Sequence, residues 1–113
     1  MGQITTHILD TALGKPATAV PVALYQQEGD SWSLLASTTT NSDGRAPELL
    51  DDSAVLAAGT YRMAFDTAAY LQACGLPVFY PWVDIVFTID GDGQHYHIPL
   101  LLSPYGYSTY RGS

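Results

Sequence analysis

The sequence predicts an all-β sandwich of seven or eight short strands with one short helix, and three observations carry that reading. The segments between turn signals are short, and the turn signals recur close together. The segments are also rich in β-branched and aromatic residues, which pack well on a pleated surface and lose χ1 freedom in helices. With 113 residues there is room for one hydrophobic core and little room for a second, so residues 1–113 read as a single unit.

Residues 4–10 form the first strand, closed by the turn-prone Leu13-Gly14-Lys15-Pro16. Residues 20–26 alternate Val22, Leu24 and Gln26 against Pro21, Ala23 and Tyr25, and Glu28-Gly29-Asp30-Ser31 folds them as a hairpin into the next strand. That strand, 31–39, puts Trp32, Leu34 and Ala36 on one parity. The Thr/Asn/Ser/Asp/Gly stretch through Gly44 then breaks it and leaves Arg45 beside a turn, near an edge. Residues 59–66 carry Tyr61, Met63 and Phe65 on one face. The helix falls at 67–74, with Thr67 as its cap, two alanines and Leu71 along it, and a stop at Gly75-Leu76-Pro77. Residues 82–89, 96–102 and 105–110 supply three more strands, separated by Asp90-Gly91-Asp92-Gly93, read as a hairpin turn, and by Ser103-Pro104.

Hydrophobic residues are 47% of the chain and charged residues 13%, which excludes disorder driven by charge and leaves much nominal surface to be covered by self-association. The net charge of -7 excludes a phosphate-backbone partner or an anionic membrane surface. The single cysteine, Cys74, cannot close an intramolecular disulfide, so a reducing cytoplasm suits the chain. No apolar run approaches the ~18 residues of a spanning helix, and the first residues lack the pattern of an export signal.

Few groups are left to carry chemistry. On the first strand Ile4, Thr6 and Ile8 form the more apolar face, which turns His7 outward with Thr5 and Leu9. On the penultimate strand Tyr96, Ile98, Leu100 and Leu102 take the core, which turns His95, His97, Pro99 and Leu101 outward. Faces that mix histidine with leucine and proline suit a subunit interface lining a small-molecule cleft. A solvated or hydrogen-bonded strand histidine explains the same pattern, and parity alone reaches no reaction. His95-Tyr96-His97 has the spacing of two metal ligands, but no third clusters with it in sequence. Cys74 has no adjacent histidine and reads as a small buried hydrophobe. Gly91-Asp92-Gly93 is no dinucleotide fingerprint, because no G-x-G-x-x-G opens a helix there.

Three segments together resemble one family. Ile4-Thr5-Thr6-His7-Ile8-Leu9-Asp10 with Gly14-Lys15-Pro16-Ala17, then Thr40-Asn41-Ser42-Asp43-Gly44-Arg45, then residues 97–113 ending in Tyr110-Arg111-Gly112-Ser113, are similar to the 5-hydroxyisourate hydrolases, the transthyretin-related family of urate catabolism. The terminal tetrapeptide resembles the one that separates these hydrolases from the hormone-carrying transthyretins. The resemblance implies an eight-stranded transthyretin-like antiparallel sandwich with one short helix, assembled as a homotetramer with sites at the dimer-dimer interface. It implies that His7, Arg45, His97 and the tetrapeptide line each cleft, with Tyr110 facing it, Arg111 either binding substrate or bracing the chain end, and Ser113 orienting substrate or water.

The implied reaction opens the six-membered ring of 5-hydroxyisourate by adding water to an amide-type carbonyl, and gives 2-oxo-4-hydroxy-4-carboxy-5-ureidoimidazoline. Imidazole titrates near the working pH, so His97 or His7 suits the base that accepts the water's proton. Arg45 suits a planar fork that docks substrate oxygens and holds charge developing on the carbonyl. No covalent intermediate, metal or organic cofactor is implied. The rival readings are a carrier of small aromatic ligands in the same cleft and a purely structural module. Both must leave His7, Arg45 and His97 in place without chemistry to do, and an apolar channel would bury them at a cost.

Overall fold

A computed structural model describes residues 2–112. Its elements are β1 (Ile4–Asp10), β2 (Lys15–Pro16), β3 (Pro21–Glu28), β4 (Ser31–Thr39), β5 (Gly59–Phe65), α1 (Thr67–Ala73), β6 (Val83–Ile89), β7 (Tyr96–Ser103) and β8 (Gly106–Thr109). Two four-stranded sheets face each other, one ordered β2-β1-β7-β8 and the other β4-β3-β5-β6. Between them lie Ile4, Ile8, Ile98, Leu100 and Leu102 from the first sheet and Val22, Leu24, Tyr61, Met63, Phe65, Val83 and Ile89 from the second, all buried.

The period-two alternation that predicts β1 and β7 is the alternation seen: Ile4, Thr6 and Ile8 turn inward, as do Tyr96, Ile98, Leu100 and Leu102. β1 and β7 run parallel, so this sheet is mixed rather than wholly antiparallel. The chain passes through the second sheet between these strands, so no tight hairpin forces them to reverse. The buried Thr6 donates its hydroxyl hydrogen to the Ile98 carbonyl at 2.6 Å and ties the pair from inside.

The β3–β4 hairpin is a two-residue loop with Gly29 at φ 63°, the backbone a glycine in the first loop position supplies most easily. Farther along the same hairpin the expected face of β4 fails. Leu24 pairs with Ala36 but Tyr25 pairs with Leu34, so Leu35 bulges without a partner. One extra residue reverses the parity beyond it, placing Ala36 against the core and Trp32 and Leu34 on the outside.

Three further local expectations are corrected. Asp66 caps α1 through its carboxylate, which accepts from the Ala69 amide at 3.2 Å, whereas Thr67 donates its hydroxyl to the Tyr80 carbonyl at 2.7 Å. The Asp90-Gly91-Asp92-Gly93 stretch is no hairpin, since β6 and β7 lie in different sheets and the stretch crosses between them. Lys15–Pro16, read as part of a turn, pairs with Leu9 and Asp10 as the short eighth strand. The helix docks on the first sheet through Tyr70, whose hydroxyl donates to the buried Asp10 carboxylate at 2.6 Å. Burial and that bond together push the Tyr70 hydroxyl well above the ordinary phenol range. Among the described residues, no helix is long and apolar enough to cross a membrane.

Candidate active site

The outward face of the first sheet is built in rungs. Thr5 lies opposite His97 and His7 opposite Pro99 in the parallel β1–β7 ladder. On the far side of β7, His97 pairs with Gly112 and Leu100 with Thr109, a register that sets Tyr110 beside Pro99. On the far side of β1, His7 pairs with Arg45. Paired residues project to the same face, so one rung reads Arg45, His7, Pro99, Tyr110 and the next reads Thr5, His97, Gly112. The sheet thus gathers His7, Arg45, His97 and Tyr110 from segments far apart in the chain.

Each member is held by local structure. The Asn41 side chain accepts from the amides of Asp43 at 2.9 Å and Arg45 at 3.1 Å, an Asx-type turn that fixes the approach to Arg45. Gly44 sits at φ 75°, and its carbonyl accepts from the Ile8 amide at 2.8 Å. A Cβ added at Gly44 would stand 2.5 Å from the Ile8 carbonyl oxygen, so only glycine lets this turn lie against β1. The Gly112 amide donates to the His97 carbonyl at 2.8 Å. A Cβ there would meet His97 Cδ2 at 2.6 Å, so the imidazole rests directly on the Gly112 backbone.

Arg111 takes a different place. Its guanidinium lies 4.5 Å over the Tyr96 ring and donates to Gln94 Oε1 at 2.6 Å, as a brace across the end of β7. Ser113 lies outside the described residues. Arg45 and Tyr110 are exposed, and His7 and His97 are partly buried. In a single chain this face is an open floor. A hollow of about 590 Å³ lies instead on the outside of the second sheet, lined by Tyr25, Arg62, Trp82 and Asp84 among others.

The electrostatics favour neutral imidazoles. His97 is held below its ordinary pKa by burial first, then by the Arg45 guanidinium, His95 and His7, with the Thr5 carbonyl working against them. His7 is lowered by burial and then by Arg45, opposed by Asp43. The backbone bridge between Arg45 and His7, and the β1–β7 register, place Arg45 and both histidine strands on the same face. Near pH 7 the arrangement therefore presents two unprotonated bases beside a permanent cation, which suits proton removal from water next to a developing oxyanion. The described residues contain no group of three or more His, Cys, Asp or Glu placed to hold a metal ion.

Reasoning from sequence overlooked Thr5. Its hydroxyl lies 2.8 Å from His97 Nδ1 and 2.9 Å from His95 Nε2. The available signal was that Thr5 shares the outward parity of His7.

The chain as a whole is similar to known proteins. The 5-hydroxyisourate hydrolase 2 of Rhizobium meliloti (strain 1021) is 48% identical over 99% of this chain and 97% of its own length. A Klebsiella pneumoniae 5-hydroxyisourate hydrolase structure superposes with a TM-score of 0.84 at 39% identity, over 97% of this chain and 98% of that one. Sea bream transthyretin in complex with thyroxine superposes at 0.90 with 33% identity, over 97% and 94% respectively. The backbone alone thus fits hydrolase and carrier about equally, and the sequence leans toward the hydrolases. The model described as the HIUase/Transthyretin family matches residues 4–112, and the chain belongs to that family.

Proposed function

We propose that this chain, as a single unit over residues 1–113, hydrolyses 5-hydroxyisourate to 2-oxo-4-hydroxy-4-carboxy-5-ureidoimidazoline in urate catabolism. The observation that carries the reading is the convergence of His7, His97 and Arg45 on one face, with Arg45 lowering both imidazoles. An apolar carrier channel has no use for three such groups.

In the mechanism His97, partnered by His7, accepts a proton from water as the water oxygen bonds to the ring carbonyl carbon. Arg45 docks the substrate oxygens and stabilises the negative charge that forms on the carbonyl. The ring C–N bond then breaks, the nitrogen leaves with the proton held by the imidazolium, and a carboxylate and a ureido group remain. Tyr110 and Ser113 orient substrate or water by hydrogen bonds. Because the floor is open in one chain, the cleft is closed by a second copy in a homotetramer, with sites between dimers. The lone Cys74 is in keeping with residence in a reducing cytoplasm.

The test is the ultraviolet decay of freshly generated 5-hydroxyisourate. Acceleration over the spontaneous rate supports the hydrolase. Tight binding of an aromatic ligand with no acceleration overturns it in favour of a carrier.

A further inference from the structure

We propose that Thr5 and His95 are a positioning pair that sets which ring nitrogen of His97 carries its proton, leaving Nε2 bare to receive the proton of the attacking water. The inference rests on the reading of His97 as a base, and it concerns a pair of residues on which that reading does not depend.

The Thr5 hydroxyl has a single hydrogen and touches two ring nitrogens, His97 Nδ1 at 2.8 Å and His95 Nε2 at 2.9 Å. At most one of them can receive that hydrogen. If it goes to His97 Nδ1, the neutral ring carries its own proton on Nε2, and Nε2 cannot act as a base. If it goes to His95 Nε2, the hydroxyl oxygen accepts from His97 Nδ1–H, and Nε2 keeps its lone pair. His95 therefore matters as the acceptor that draws the hydroxyl hydrogen away from His97.

Burial shields the hydroxyl and both rings flank it. Thr5 is buried, 6% exposed, so water competes poorly for its hydroxyl. Thr5 sits directly across the parallel ladder from His97, while His95 precedes β7 on the same outward parity. The two imidazoles lie nearly parallel, 17° apart with centroids at 6.4 Å, one to each side of the hydroxyl. When Nε2 takes a proton, Nδ1–H stays donated to Thr5, so the catalytic step requires no rearrangement behind the ring. Thr5 touches His97 and His95 acts on it through Thr5, so both are positioning residues.

The test uses the full-length chain with 15N-labelled histidine, above the pH at which the rings are neutral. Nitrogen shifts distinguish a protonated ring nitrogen from a bare one. The expected parent spectrum shows His97 protonated on Nδ1 and bare on Nε2. Thr5→Val keeps the β-branched shape without the hydroxyl, and it should move the His97 proton to Nε2. It should also lower kcat roughly ten- to hundredfold with little change in KM, the scale on which partners behind a catalytic group act. Thr5→Ser should restore both the spectrum and kcat. His95→Phe, which keeps a ring but removes the acceptor, should give a mixture of the two His97 forms. A parent spectrum with the His97 proton on Nε2 overturns the proposal, and it does so even if Thr5→Val fails to fold. So does a Thr5→Val chain with unchanged tautomer and kcat within threefold. A parent that shows the expected tautomer but does not accelerate 5-hydroxyisourate decay overturns the hydrolase reading and leaves the pairing intact.

Discussion

The outer faces of the two sheets each display an arginine, and they use it in opposite ways. On the second sheet Arg62 is clamped 4.5 Å over the Tyr25 ring and 4.7 Å over the Trp32 ring, and its Nε finds no hydrogen-bond partner among the described residues. The hollow beside it is roomy, yet no histidine lines it. On the first sheet Arg45 is exposed, held by its backbone to β1 and free to direct its fork at a ligand, with two imidazoles whose proton affinity it lowers. The contrast teaches that the roomy hollow and the cluster of titratable groups lie on opposite faces, and that backbone pairing onto adjacent rungs is what assembles the cluster.

The sharpest way to break that contrast is substitution of the proposed base. His97→Asn should lower the rate by about 10²–10⁴-fold, while Arg62→Met should leave it within about threefold. Equal losses from both, in steady-state assays of properly folded chains, would erase the distinction. Next in size, Arg45→Lys should lower kcat/KM by roughly 10²-fold through loss of the planar fork, and full activity would refute bidentate docking.

Acidity sharpens the comparison further. Both imidazoles are lowered from 6.5, so the acid limb of kcat/KM should fall below pH 6.5 in the parent. Arg45→Ala removes a cause of that lowering and should move the limb to higher pH. The same sign applies to stability. The folded chain binds fewer protons on these rings than the unfolded chain, so stability should decline as pH drops through about 6.5, read as the denaturation midpoint.

Gly112→Ala should push the His97 ring aside and cost about tenfold in kcat, a partial loss of the base's contribution, with the melting temperature nearly unchanged because Gly112 lies beyond β8. Tyr70→Phe should do the reverse. It removes the hydroxyl from the buried Asp10 carboxylate and should cost about 1–3 kcal/mol of stability by denaturant titration, with kcat preserved at a permissive temperature. The smallest effect is expected on the other sheet, where Arg62→Met should cost no more than about 1 kcal/mol for its ring contacts.

Much of this is legible in the amino-acid order, where period two is unbroken. In β1 and β7 every second residue from Ile4 and from Tyr96 is buried and the outward histidines follow, although Thr5 and Pro99 on the outward parity are covered as well. β4 misleads because a bulge at Leu35 leaves no mark in composition, only in pairing. The Asp90–Gly93 stretch misleads because glycine and aspartate report that a chain turns, not which sheet it turns into. Thr67 looks like a cap because caps are a matter of one residue, and Asp66 beside it serves equally well. Thr5 passes unremarked because threonine is an ordinary strand former, and its partners lie 90 and 92 residues away.

That separation has a consequence for how the protein comes into being. β1 leaves the ribosome ahead of β7, and the strand that pairs with its long edge follows some ninety residues later. At about 5–20 residues per second the nascent chain spends roughly 5 to 20 s with the long edge of β1 unsatisfied. Through that interval the emerging polypeptide has not yet brought His97 to His7 and carries an open template for mispairing with its neighbours on the same message.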